Sequence, residues 1–239
     1  MKVSELTSGD LQRLTLELRK LGNSNGTINR KLAALSRMLT TAVEGGLLDD
    51  PPKIRRLKER EHRTRWLSFD EERSLFAALE ARDPLIRQFC IFLVETGLRV
   101  GEAQHLRWSD VKLREGVIAV RGTKGDLPRT VPMTDAALEV VKRRSGGAGP
   151  WSDIAHARLR YIWDLAKKDA GLDNDEDVVP HVLRHTCASR LIQNGAGLLT
   201  VQKWLGHKQL SMTLRYAHLA QAQMEAARDV LDKLRGAEG

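Results

Sequence analysis

The chain has 239 residues, 29% charged and 41% hydrophobic, with a formal net charge of +8. That length suits one sizeable domain with a small companion, and no apolar run approaches the roughly 20 residues of a membrane span. The positive balance points to a polyanionic partner such as nucleic acid, and the start, MKVSELTSGD, lacks a basic-then-apolar signal pattern, so the expected location is the cytoplasm.

Thr7 or Ser8 caps a first helix with Leu11, Leu14, Leu18 and Leu21 on one face. The stretch Gly22-Asn23-Ser24-Asn25-Gly26 breaks it. Thr27 then caps a second helix with Ile28, Leu32, Leu35 and Leu39 at helical spacing. Gly45-Gly46 ends that helix, and Asp50-Pro51-Pro52 blocks its continuation. A basic run follows: Lys53, Arg55, Arg56, Lys58, Arg60, Arg63 and Arg65, diluted by Glu59 and Glu61. It reads either as a solvated linker or as a strap lying against phosphates. A boundary near residue 62 divides the chain into 1–62 and 63–239.

From Trp66 the pattern is mostly helical. Ser68 and Glu71 form a capping box. A helix over 84–95 stops at Gly97, and a short one starts at Val100. The period then switches, and Val117 to Arg121 and Leu127 to Met133 read as two strands of a hairpin around Thr123-Lys124-Gly125-Asp126. Helices are expected at about 135–144, 155–170, 184–194, 198–205, 211–217 and 220–235. The fold class is therefore mainly α with a small antiparallel β-sheet. Cys90 and Cys187 sit far apart in apolar helical patterns and read as buried packing, not as a disulfide or zinc framework.

Several segments could carry chemistry. In His181-Val182-Leu183-Arg184-His185 a histidine and an arginine three apart share one helical face and can converge on an anion. His181 and His185 are four apart, but no Glu follows His181, so the zinc-protease motif is missing. In Leu205-Gly206-His207-Lys208 the glycine ends a helix and His207 projects from the turn. Nine residues on stands Tyr216, one of two tyrosines. The other, Tyr161, lies between Leu159 and Ile162 and reads as core packing. In Thr96-Gly97-Leu98-Arg99-Val100-Gly101-Glu102 two glycines bracket an arginine that a loop can aim inward, with Glu102 placed to orient it. Lys124 sits at the expected hairpin tip, where a lysine is commonly only a solubilising group.

Together, Thr96–Glu102, His181–His185, Leu205–His207 and Tyr216 resemble the boxes of the tyrosine recombinases, the phage-integrase kind, in the right order. The flanks agree, in Leu183-Arg184-His185-Thr186 and Trp204-Leu205-Gly206-His207, and Thr27 to Pro52 resembles the end of the family's helical core-binding domain. The resemblance implies a catalytic fold over 63–239 preceded by a partial core-binding domain and linker over 1–62. Val182 stands where the family often has an acidic residue. Members usually carry more helix ahead of the Thr27 segment, so a fragment or a short member is expected.

By that resemblance Arg99 and Arg184 grip the scissile phosphate, Lys124 is the hairpin lysine, His181 and His207 are the two histidines, and Tyr216 is the nucleophile. Glu102 and His185 take supporting roles. Arg30, Lys31, Arg55, Arg56, Arg63 and Arg65 are the expected DNA-backbone contacts. The chemistry is consistent with this assignment. Two guanidinium forks suit two non-bridging oxygens and offset the charge of a pentacoordinate transition state. A phenol near pKa 10 lies roughly 4 kcal/mol from ionisation at pH 7, so a base, expected to be His181, must help. Lys124 supplies the leaving 5′ oxygen with a proton.

The implied activity is site-specific cutting and rejoining of DNA through a 3′-phosphotyrosine, with no metal, cofactor or ATP. The implied partners are double-stranded DNA, three further copies of the chain on paired sites with a four-way Holliday junction, and accessory DNA-bending proteins; no membrane partner is expected. The helix from Gln221 to Leu234 carries Met224, Ala227, Val230 and Leu231 in a stripe suited either to self-packing or to a neighbouring protomer. A type IB topoisomerase and a catalytically dead DNA-binding regulator are the competing readings.

Overall fold

A computed structural model of the chain describes residues 5–58, 64–122 and 127–220, with positions 228, 231 and 232. It divides into two units, Met1–His62 and Arg63–Gly239. The described residues are mainly helical, with one three-stranded antiparallel sheet. No helix among them is long and apolar enough to cross a membrane.

In the first unit, α1 (Ser8–Lys20) begins at Thr7. Thr7 accepts from the Asp10 N–H while the Asp10 carboxylate accepts the Thr7 N–H, so two orphan donors are satisfied reciprocally. Leu11 and Leu18 are buried, but Leu14 and Leu21 are exposed, so the expected four-leucine face is half solvated. The α2 helix (Asn25–Glu44) starts earlier than expected. Ser24, not Thr27, is the cap, and its Oγ accepts from the Thr27 N–H. The first turn tolerates Asn25 and Gly26 because its N–H groups have no intrahelical partners to lose.

Leu18, Ile28 and Leu32 form a small core, closed by Ile54 and Leu57. Buried Asn29 clamps the incoming segment: Nδ2 donates to the Leu57 carbonyl at 2.9 Å, and Oδ1 accepts the Leu57 N–H at 2.8 Å. The basic run is thus docked on its own helices at Ile54 and Leu57, leaving Lys53, Arg55, Arg56 and Lys58 exposed.

In the second unit α3 (Phe69–Arg82) starts with the expected Ser68–Glu71 capping box. The α4 helix (Pro84–Thr96) is capped by Asp83 and buries Ile86, Phe89, Cys90, Phe92, Leu93 and Val94. A helix apolar nearly all round belongs in the interior, and α4 packs against α3, α6 (Asp135–Lys142) and α8 (Val182–Gln193). Each fully buried Leu, Ile or Phe there contributes about 1.5–3 kcal/mol. Cys90 and Cys187 are buried free thiols.

The short α5 (Val100–Gln104) leads to the sheet, ordered β1 (Val111–Lys112), β2 (Val117–Val120), β3 (Arg129–Pro132). β1 was not anticipated, because two residues are too few to display alternation. Ile118 pairs with Val131, and Val120 with Arg129. The turn Thr123–Asp126, with Lys124, lies outside the described residues.

The α7 helix (His156–Asp169) buries Leu159, Trp163 and Ala166, spaced four and three apart. This corrects the reading of Tyr161. It falls two residues from both Leu159 and Trp163, hence on the far side of the helix, and is 65% exposed. The α9 helix spans Leu198–Leu205. The segment expected to be helical through 217 instead forms α10 (Ser211–Leu214) and a 3-10 turn over Ala217–Leu219. The expected last helix lies outside the described residues except at 228, 231 and 232.

Candidate active site

Two helices end side by side to make the site. The α4 helix ends at Gly97 (φ 65°) and α9 at Gly206 (φ 75°), both in the left-handed region that favours glycine. Both positions also need the missing side chain. A Cβ on Gly97 would stand 2.9 Å from Leu205 Cδ2 and 3.1 Å from Cys187 Sγ, and one on Gly206 would stand 2.7 Å from Arg129 Nη1.

Helix C-termini leave carbonyls without intrahelical partners and carry partial negative charge, so cations gather there. Arg184 donates from Nη1 to the Gly97 carbonyl (2.7 Å) and from Nη2 to the Leu205 carbonyl (2.8 Å). Arg129 donates from Nε to the Trp204 carbonyl at 2.8 Å. The Trp204 indole N–H returns to the Thr96 carbonyl at 2.9 Å. The segments Thr96–Gly97 and Trp204–Gly206 are therefore tied directly through the Arg184 guanidinium and the Trp204 indole, while Arg129 links Trp204 to Glu102.

Glu102 lies between the arginines, its side chain 3% exposed. Arg129 meets it with both terminal nitrogens, at 3.1 and 2.9 Å. The Arg99 N–H donates to it at 2.9 Å, and Arg184 Nη1 stands 3.8 Å away. Burial pushes the Glu102 pKa up, but the hydrogen bonds and charge of Arg129 outweigh it and the net shift is downward. Burial and the charge of Arg99 draw Arg184 down to about 9, still cationic at neutral pH. Three guanidiniums against one carboxylate leave a local excess of two positive charges. An oxyanion such as a phosphodiester is the ligand this field favours.

The tyrosine side differs. Tyr216 is 1% exposed, packed with Ala188, Ile192, Val201 and Leu205. Its hydroxyl lies 2.6 Å from His185 Nδ1. Burial pushes the phenol up to about 12, against the opposing charges of Arg215 and Arg184. Burial and neighbouring His181 pull His185 down to about 3. The pairing that fits both directions is a protonated phenol donating to a neutral imidazole.

His181, expected to be the partner of the phenol, is exposed at the start of α8 instead, its ring 4.8 Å from that of His185 in an edge-on arrangement. Residues 181 and 185 share a helical face, but only the second is one turn deep enough to reach the buried hydroxyl. Partial burial and the charges of Arg184 and Arg99 lower its pKa. His207 is buried, with Nδ1 2.9 Å from Thr213 Oγ1, and burial and Arg184 lower it to about 3.

The structure thus brings together Arg99, Glu102, His181, Arg184, His185, His207 and Tyr216. Lys124 and Arg63 lie outside the described residues. Arg30, Lys31, Arg55 and Arg56 are exposed on the first unit. Arg65, expected at phosphates, is instead held by Asp175 (2.8 Å), Glu71 (2.5 Å) and the Trp66 carbonyl. Two carboxylates within reach capture the guanidinium.

Sequence reasoning passed over Arg129. The signal was there: Leu127, Arg129, Val131 and Met133 share one strand parity, and an arginine in that series marks a buried cation needing partners.

Residues 65–223 match the model of the Phage integrase family. The integrase of Escherichia phage P2 is 31% identical over 235 residues, covering 97% of this chain and 66% of that protein. Tyrosine recombinase XerD of Lacticaseibacillus casei is 34% identical over 219 residues, covering 84% of this chain and 74% of that protein. By fold, the chain is similar to the Tn1549 transposon integrase in complex with a circular intermediate DNA, with a TM-score of 0.77 at 18% identity, covering 94% of this chain and 86% of that one.

Proposed function

Since the chain belongs to the phage integrase family, we propose that it is a site-specific tyrosine recombinase that cuts and rejoins double-stranded DNA through a 3′-phosphotyrosine. The observation that carries this reading is the net-positive arginine cluster standing beside a phenol held by histidine. Residues 63–239 are the catalytic domain, and 1–62 are part of a core-binding domain with its basic linker.

The Tyr216 hydroxyl oxygen attacks phosphorus, a P–O bond to Tyr216 forms, and the P–O5′ bond breaks. The phenolic proton passes to His181, and the departing 5′ oxygen takes a proton from Lys124. Arg99 and Arg184 hold the non-bridging oxygens, with His207 donating to one of them. The bond energy stays in the phosphotyrosine, so a second 5′ hydroxyl reverses the step on a new strand without ATP or metal.

Side chains 1% and 2% exposed do not reach a duplex, so Tyr216 must first leave its cluster and the face of Arg184 must open to the phosphate. It sits between a four-residue helix and a three-residue 3-10 turn, elements with little cooperative hydrogen bonding to break. His185 holds the phenol in the resting form, and His181 is the exposed imidazole available once the phenol emerges. Strand exchange takes four copies on paired sites, with DNA-bending proteins assisting, in the cytoplasm.

The test is trapping on a pool of random-sequence nicked suicide duplexes. Wild-type protein should form a covalent adduct whose sequencing gives site and polarity. Tyr216→Phe should bind DNA and form none; an adduct with that variant would sink the assignment. Relaxation of supercoiled plasmid without exchange would favour a topoisomerase.

A further inference from the structure

Arg129 occupies a strand position whose parity belongs to apolar side chains, and it is 5% exposed. It does not face solvent as Arg55 does. All three guanidinium nitrogens are engaged within the protein: Nη1 and Nη2 on the two Glu102 oxygens, and Nε on the Trp204 carbonyl. Two residues earlier in the chain, the Leu127 N–H donates to the Gly206 carbonyl at 3.1 Å.

Its partners are the groups that set the phosphate clamp. Glu102 receives the Arg99 amide and faces Arg184. Trp204 is adjacent to Leu205, whose carbonyl receives Arg184, and stands three residues before His207. One buried side chain therefore joins β3, α5 and the end of α9. A buried ion pair is a weak stabiliser compared with well-packed apolar residues, so stability alone does not account for an arginine here. Three acceptors spread around one plane demand a guanidinium fork, which lysine lacks.

We propose that Arg129 is a positioning residue of the catalytic centre, fixing through Glu102 and the end of α9 the orientation in which Arg99, Arg184 and His207 meet the phosphate. This rests on the recombinase reading above.

The test uses the duplex recovered by trapping, in single-turnover cleavage. Arg129→Lys should bind DNA as wild type does but form adduct about 10²-fold more slowly, the scale of a misplacement near 1 Å. A second duplex carries sulfur in place of the bridging 5′ oxygen. A thiolate leaves without a proton, so this substrate bypasses a failed general acid but not a misaligned clamp. Arg129→Lys should stay about 10²-fold slow on it, whereas Lys124→Ala should recover. Recovery of Arg129→Lys on the sulfur duplex would overturn the proposal, because the residue would then act through the lysine hairpin. Wild-type rates on both duplexes would overturn it equally.

If Arg129→Lys does not fold, the paired variant Glu102→Gln/Arg129→Met removes both buried charges. It should fold yet remain at least about 10²-fold slow; a folded pair variant cleaving at the wild-type rate refutes the assignment. Absence of any adduct with wild-type protein would instead defeat the recombinase reading, and this proposal with it.

Discussion

Around Arg184 and Arg129 the site is charged and anchored to backbone; the Tyr216–His185 pair is neutral, and Tyr216 itself is carried on short segments. The guanidiniums are held by carbonyls at the ends of α4, a helix of the main core, and α9, which packs in the smaller cluster that also holds Tyr216. The phenol is held by one imidazole and by apolar packing. The difference separates two tasks. A clamp for a charged transition state works best when its dipoles are already oriented, since no reorganisation is then left to the reaction step. A nucleophile that attacks phosphodiesters works safely when it is withheld until substrate is present. For Tyr216 in its proposed role burial does this twice, hiding the hydroxyl and pushing its pKa up.

This contrast can be broken by experiment. The largest stability effect should come from Glu102→Ala, which leaves Arg129 and Arg184 buried without their carboxylate. Urea denaturation should show a loss of about 3–5 kcal/mol; a loss below about 1 kcal/mol would mean the arginines are not held as a buried unit. Next is Gly206→Ala, which forces a left-handed backbone on alanine and drives its Cβ into Arg129. We expect about 1–3 kcal/mol, together with slowed cleavage. Smaller still is Tyr216→Phe. It deletes one neutral hydrogen bond to His185 and should lower stability by about 1 kcal/mol, although in the proposed reaction it should abolish the adduct.

Acid sharpens the same comparison. His185 and His207 both sit near 3 in the fold, below the ordinary 6.5, so the folded state favours their neutral forms. Their contribution is fully present above pH 6.5 and is lost as pH falls from there towards 3. Melting temperature should decline through that window, and His185→Gln should flatten the decline. An unchanged slope in that variant would show that His185 titrates normally.

Much of the second unit was legible before any coordinates. Ser68 with Glu71, and Gly97, are local signals acting within one turn, and the helices they bound lie where expected. Local signals misled where two caps competed, at Ser24 and Thr27, and where a helical face was judged from neighbours in sequence, as at Tyr161. Leu159 and Ile162 flank Tyr161 in the chain, but the three point in different directions around the axis. β1 was too short to carry a period. Arg65 read as one of a basic run, because Asp175, which captures it, is remote in sequence.

The amino-acid sequence by itself determined the helical class and the hairpin, because propensity and capping are local, and the expected phosphate-handling residues came from its resemblance to the tyrosine recombinases. Only the tertiary structure decided that the ends of α4 and α9 meet, that Arg129 completes the cluster around Glu102, and that His185 rather than His181 holds Tyr216. Those outcomes depend on which carbonyls and carboxylates come within about 3 Å of a buried donor. Residues some 20 to 110 positions apart supply them, and no local pattern records such pairings.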